Sequence, residues 1–259
     1  MMRWTVVLLG IGLAGCGRGN QAGTPAPETQ AATPGMIDSL WNESMELFRN
    51  GKWSKASVSL ERFLLESPAT DRRTARAHFF LAETYFATGD QLRAAREFRV
   101  VSDGSPNDSL APEALMRAGD AYADLWRRPE LDPTYGQQAL ATYQEFLNRF
   151  AGTRVEPRVR ERVAFLENKF ADKSFKAALY YVRLKAYDSA ILYLRDLLAT
   201  YPRSTVAPEA LTRLVEAYRS IGYTEELKET CGYFRTNHPA APSLNRVCPA
   251  DTLTVQPPA

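Results

Sequence analysis

The chain has 259 residues, a formal net charge of +2, 24% charged side chains and 45% apolar ones. That near-neutral balance lacks the cationic excess that a phosphate backbone demands, so no nucleic-acid partner is expected. Length and apolar content suffice for one or two domains with a sizeable core.

Residues 1–15 have the order of an export leader: Arg3, an apolar run from Trp4 to Leu13, then small residues. The run is about ten residues, too short to span a bilayer of ~30 Å. Gly10, Gly12 and Gly15 fit G-x-G-x-x-G, but no strand precedes them and no helix start follows. Leu13-Ala14-Gly15-Cys16 resembles the lipobox of bacterial lipoproteins. The resemblance implies a diacylglyceryl thioether on the Cys16 sulfur, cleavage before Cys16 and acylation of the new amino terminus. No other cofactor is expected. A plain signal peptide followed by a chance cysteine is the alternative. Gly17 follows, where aspartate retains enterobacterial lipoproteins at the inner membrane; its absence points to the outer one.

Residues 16–35 then hold the lipid cysteine and a Gly/Pro/Thr/Ala-rich stretch without apolar periodicity, read as a flexible linker. Such a chain averages ~25 Å end to end.

From residue 36 the chain repeats itself. Ala111-Pro112-Glu113-Ala114-Leu115, with Arg117, Asp120, Ala121 and Tyr122, recurs as Ala207-Pro208-Glu209-Ala210-Leu211, with Arg213, Glu216, Ala217 and Tyr218. Proline at a helix start lacks only an N–H that would be unpaired anyway. Ser67-Pro68, Ser105-Pro106, Tyr201-Pro202 and His238-Pro239 end amphipathic stretches. Gly51, Gly89 and Gly222 suit left-handed caps after a first helix.

This pattern resembles the tetratricopeptide repeat, a helix-turn-helix of about 34 residues. The small first-helix position is Ser44, Ala82, Gly119, Ala178 and Val215, with Leu47, Tyr85, Tyr122, Tyr181 and Tyr218 three later. In the second helix Ala56, Ala94, Ala139, Ala190 and Leu227 precede Leu60, Phe98, Tyr143, Leu194 and Cys231 by four. The resemblance implies an all-α fold, a right-handed α-solenoid of five tetratricopeptide-like helix pairs over 36–239. Their bounds are 36–70, 71–108, 109–153, 154–203 and 204–239, with a tail over 240–259. Two irregularities stand out. Pair three carries an insertion around Arg127–Pro133. Pair four opens with a breaker-free stretch from Pro157 to Leu184, which predicts a helix of roughly 42 Å whose first half packs elsewhere or bridges two halves of the array.

Leader, repeats, insertion and long helix together resemble the BamD family, lipoproteins of the outer-membrane β-barrel assembly machinery. The stretch Tyr143 to Tyr218 carries most of the likeness, with Phe146-Leu147, Arg162-Val163, Phe165-Leu166, Tyr180-Tyr181 and Ala186-Tyr187. It implies a non-catalytic scaffold, lipid-anchored at the periplasmic face of the outer membrane. Its partners would be the periplasmic repeats of the barrel subunit, other assembly lipoproteins and unfolded outer-membrane proteins. Leu192-Tyr193 stands where many members carry Asn-Arg, in the half that docks on the barrel subunit, so no docking residue is carried over. A different tetratricopeptide lipoprotein, an adaptor in cell-wall synthesis or a secretion system, is the competing reading.

No catalytic or metal constellation is evident. His78 falls at a packing position and His238 before a helix-ending proline, where exposure is expected. In the repeat's geometry the inward positions are Asp38, Trp41, Met45 and Phe48 in pair one and Arg76, Phe79, Glu83 and Phe86 in pair two. Two readings stand: Trp41, Met45, Phe48, Phe79 and Phe86, flanked by Arg76 and Glu83, line a peptide-binding groove, or the rings fill core space. The groove reading predicts that Trp41→Ala and Phe79→Ala leave the melting temperature nearly unchanged. The long helix interleaves Arg154, Arg158, Arg160, Arg162, Lys169, Lys173 and Lys176 with acids, read as mutual salt bridges on a solvated face, the alternative being a site for an acidic partner. Cys231 and Cys248 either pair in an oxidising compartment, worth about 3 kcal/mol, or stay as a buried apolar residue and a free thiol.

Overall fold

The computed structural model describes residues 33–249. The leader, Cys16 with its expected lipid, most of the linker and the end of the tail lie outside the described residues. Ten helices follow in pairs: α1 (Pro34–Arg49) with α2 (Trp53–Glu66), α3 (Thr74–Thr88) with α4 (Gln91–Gly104), α5 (Ala111–Leu125) with α6 (Thr134–Arg149), α7 (Glu156–Arg183) with α8 (Tyr187–Thr200), and α9 (Ala207–Ile221) with α10 (Thr224–Asn237). A four-residue helix, α11 (Leu244–Val247), follows, and the described residues contain no strand. None of these helices is long and apolar enough to cross a membrane.

Proline opens α1, α5, α7 and α9. Gly51, Gly89 and Gly222 take left-handed φ values of 66°, 83° and 76° between paired helices. The turn between α7 and α8 has the same geometry without the glycine: Lys185 sits there at φ 58°.

Each helix packs chiefly on its neighbours in sequence, with α7 and α11 also meeting α9. Small residues set those approaches. Ser44, Ala82, Ala178 and Val215 on the first helices, and Ala56, Ala94, Ala139 and Ala190 on the second, are fully buried. Ser44 satisfies its buried hydroxyl on the Leu40 carbonyl at 2.7 Å and the Ser59 hydroxyl at 2.8 Å.

The core falls into three clusters. One spans α1 to α5 around Leu60, Phe63, Leu81 and Phe98; a second joins α5, α6 and the start of α7 around Leu115, Trp126, Tyr143 and Phe146; the third joins the end of α7 to α11 around Leu194, Leu214 and Phe234. The 28 residues of α7 answer the question its length raised. Val159, Leu166 and Phe170 belong to the middle cluster, Phe175 and Ala178 to the C-terminal one, so the helix bridges the two. Phe170 lies 4.5 Å from Trp126 and stacks at 6.3 Å on Tyr201.

A Cβ-bearing residue in the left-handed region is strained by about 1–2 kcal/mol. Lys185→Gly is therefore expected to raise the melting temperature by ~2–4 °C, net of the entropy glycine adds to the unfolded chain. Calorimetry of the variant checks this.

Candidate interaction groove

The inward aromatic residues of the first two pairs form the outer layer of the N-terminal core. Trp41 lies 5.3 Å from the fully buried Phe63 and 6.5 Å from Phe80. Phe48 packs between Trp53 at 5.3 Å and Phe80 at 4.8 Å, and Phe79 lies edge-on to the buried Phe98 at 5.4 Å. Trp41, Met45, Phe79 and Phe86 are all half-buried against this cluster. The Arg73 guanidinium covers Trp41 and Phe63 while pairing with Asp38 and Asp71 at 2.7 Å each.

These contacts correct the stability expectation. A ring with one face on a close-packed core leaves a cavity when removed, so Trp41→Ala and Phe79→Ala carry a folding cost of roughly 2 kcal/mol, below the 3–5 of a fully buried ring. Arg76 is exposed.

Glu83 is not a free rim carboxylate. It accepts two bonds from Arg117, Nε and Nη2 each at 2.7 Å, and the same guanidinium stacks 4.3 Å from the Phe86 ring. Arg117 also meets Asp120 at 3.3 Å. Asp120 accepts from the Tyr143 hydroxyl at 2.7 Å and from Arg162 Nε at 3.1 Å. Three helix pairs thus meet at one junction. Burial opposes charge on Arg117, but its bonds to Glu83 and Asp120 outweigh that and hold its pKa above the ordinary value. Burial, reinforced by Asp120, pushes the Tyr143 hydroxyl well above the usual phenol range, so it stays a donor.

Beside the junction opens a cleft of about 530 Å³. Phe86, Trp126 and Lys169 line it with the junction residues, and Phe165, 63% exposed, stands at its rim. It continues the aromatic surface of the first two pairs into pairs three and four. Repeat-by-repeat reading misses Arg117 and Arg162 because their acidic partners lie 34 and 42 positions away, in neighbouring pairs. It misses Asp120 and Phe165 for the same reason, since their setting is made by other repeats. The doubled Ala-Pro-Glu-Ala-Leu blocks, each followed by an arginine and an acid, are the signal that could have marked Arg117 and Asp120.

The basic residues of α7 largely reach outward to pair three. Within the helix, Arg160 pairs with Glu156 at 2.6 Å and Lys176 with Asp172 at 3.0 Å, as expected. Arg158 instead pairs with Glu113 and Arg162 with Asp120. Lys169 donates to the Trp126 carbonyl, Lys173 to those of Pro129 and Leu131 at 3.1 and 3.0 Å, and Lys176 to Glu130 at 2.5 Å. The insertion is fastened to α7 by one face of lysines rather than left as a solvated excursion. Burial lowers the Lys169 pKa, with Asp124 opposing. His78 is half-buried with Nδ1 2.7 Å from Glu97. His238, expected exposed, is half-buried because it ends α10 edge-on to Phe234 at 6.3 Å.

A second apolar surface lies at the junction of α7 and α8. Tyr180 packs edge-on to Tyr181 at 5.4 Å, which stacks on Tyr193 at 5.1 Å. Leu184 one turn beyond Tyr180, and Leu192 beside Tyr193, are 59% and 69% exposed. Exposed apolar residues gathered near one helix junction are candidates for an interaction site.

Replacing the shared anion by an amide keeps an acceptor for the Tyr143 hydroxyl but removes the charge that Arg117 and Arg162 share and sets an amide N–H₂ where a guanidinium donates. Asp120→Asn is expected to cost about 2 kcal/mol of folding stability, checked by denaturant unfolding. Gly119→Ala is expected to cost about 1–3 kcal/mol, because its new Cβ would clash with Cε1 of the buried Tyr143 ring. Gly104→Ala, where a Cβ meets open space, is the control expected to show no loss.

Residues 37–232 match the family model YfiO, described as outer membrane lipoprotein. Among named relatives, an outer membrane protein assembly factor BamD of Vibrio cholerae is 28% identical over 201 residues, covering 74% of this chain and 83% of that protein. The BamD of Xylella fastidiosa is 25% identical over 221 residues, 80% of this chain and 74% of that one. The BamD of Neisseria gonorrhoeae is 21% identical over 257 residues, 95% of each. A tetratricopeptide-repeat protein of Thermus thermophilus aligns over 85% of this chain and all of its own at 23% identity, with a TM-score of 0.35. The family match spans about three quarters of the sequence and all five helix pairs: the chain belongs to the YfiO family of outer membrane lipoproteins.

Proposed function

We propose that this protein is an outer-membrane protein assembly factor that works as a scaffold and carries out no chemistry itself. The observation that carries the reading is the family match across all five helix pairs, together with relatives named as assembly factors. A lipid on Cys16 holds the array at the periplasmic face of the outer membrane.

Two surfaces divide the work. The half-buried rings of α1 and α3 and the cleft beside the Arg117–Asp120 junction form a trough for unfolded outer-membrane proteins. Apolar floor and charged walls suit an extended segment with aromatic side chains and free backbone polar groups. The Tyr180–Tyr193 surface, with Leu184 and Leu192, docks on the periplasmic repeats of the barrel subunit. Exposed apolar residues there supply the contact that Asn-Arg would supply elsewhere in the family, and anchors of this type dominate interface energies.

Affinity recovery of the lipidated protein from envelopes tests the reading. The wild type is expected to bring down the barrel subunit. Leu184→Asp with Leu192→Asp is expected to abolish recovery while leaving the melting temperature within about 2 °C, because both side chains are solvent-facing. A wild type that recovers no barrel subunit sinks the proposal. For the trough, Phe165→Asp with Arg76→Glu is expected to weaken binding of an aromatic-rich barrel-strand peptide by about tenfold, measured by fluorescence titration.

A further inference from the structure

The segment from His238 to Pro249 closes the end of the array. Leu244, Val247 and Cys248 are buried in the C-terminal cluster with Leu227, Cys231 and Phe234 of α10. α11 packs on α9, and Cys248 is joined to Cys231 with their Cα atoms 5.6 Å apart. Polar ties surround the bond. Arg219 donates to the Val247 carbonyl at 2.5 Å, and Arg235 to the carbonyls of Cys248 and Pro249 at 2.8 Å each. Arg246 pairs with Glu216 at 2.9 Å, and the Thr212 and Ser243 hydroxyls meet at 2.6 Å.

A four-residue helix cannot hold itself together, since nucleation alone outweighs the bonds so few residues form. The segment therefore depends on what fastens it. Its carbonyl ties are single bonds to long, partly solvated arginines, whereas the covalent link closes a short chain loop across a sequence separation of 17. Without a cover, Leu227, Phe234 and the inner face of α9 would meet water where a further repeat would otherwise stack; terminal repeats need such a cover to stay soluble.

We propose that residues 238–249 are an oxidation-dependent cap, so that the fifth helix pair reaches its final packing only when Cys231 and Cys248 are joined. The step is a thiol–disulfide exchange with a disulfide-bearing oxidoreductase. One cysteine thiolate attacks the donor disulfide, forming a mixed disulfide and releasing one donor thiolate. The second cysteine then attacks the first one's sulfur. The chain loses two electrons and two protons, and the donor leaves as a dithiol. In a reducing compartment the cap stays open. Location in the oxidising envelope rests on the export reading proposed above, whereas the dependence of the cap on the bond does not.

Once the bond has formed, Cys231 is fully buried and Cys248 nearly so, which keeps reductants from the sulfurs until the cap opens. Cys248→Ser in the full-length chain is the cleaner probe, because it leaves the buried Cys231 side chain in place. Hydrogen exchange of wild type and variant reads the result. Amides of α10 and α11 are expected to exchange about 100-fold faster without the bond, the change a loop closure across this separation implies. Amides of α1 to α6 are expected to be unchanged. Unaltered protection at α10 and α11 overturns the proposal, as does equal loss along the whole array, which would make the bond a general staple. Free alkylation of both cysteines in the native protein taken from envelopes also overturns it. Recovery of the barrel subunit is a separate readout, so failure of the scaffold reading leaves these outcomes interpretable.

Discussion

The close approach of α5 and α6 is the constraint on which the middle of the molecule depends. Gly119 presents no side chain, so the ring of Tyr143 lies directly against its backbone, and the Tyr143 hydroxyl reaches Asp120 on the next residue. That places a carboxylate where Arg117 and Arg162 converge from two sides. A larger residue at 119 would push the ring away, take its hydroxyl off Asp120 and loosen the carboxylate that Arg117 and Arg162 share. A steric fact about one missing methyl thus fixes the relative positions of three helix pairs, and with them the shape of the cleft.

Much of the architecture is legible in the residue pattern because it follows from local rules. Small residues recur where helices touch, prolines where they start, glycines where they turn, and the structure buries or bends the chain at those positions. The turn at Lys185 is not legible, since nothing local marks a lysine for left-handed geometry. The groove is half legible. Periodicity places Trp41, Phe48, Phe79 and Phe86 on one side of the array, yet it cannot tell how deeply neighbouring rings cover them. Glu83 reads as a free rim charge because its partner, Arg117, belongs to the next pair. Electrostatic pairing across repeats depends on side-chain reach, and a one-dimensional pattern does not carry that information.

The insertion in pair three illustrates how charge does structural work here. Breaking a helix pair with an inserted loop leaves backbone carbonyls without helical partners, and such groups must be satisfied. Lys169, Lys173 and Lys176, on one face of α7, meet the carbonyls of Trp126, Pro129 and Leu131 and the Glu130 side chain. The same loop buries Trp126 against Phe170 and sets it at the edge of the cleft. Positive charge that reads in the sequence as salt bridges within one solvated helix face is in large part spent across elements, holding this loop against α7.

The length of α7 has a mechanical corollary. Arg162 and Phe165 near one end border the cleft, and Tyr180 and Leu184 near the other border the apolar surface at α8. No proline or glycine interrupts the helix between them, so the two surfaces ride on one stiff rod, ~27 Å apart from Arg162 to Tyr180 along its axis. On the proposed assignment of these surfaces they are opposite ends of a gauge: a partner seated at one end would set where the other is presented, and a tilt of the rod would reach the second as a displacement without a hinge to absorb it.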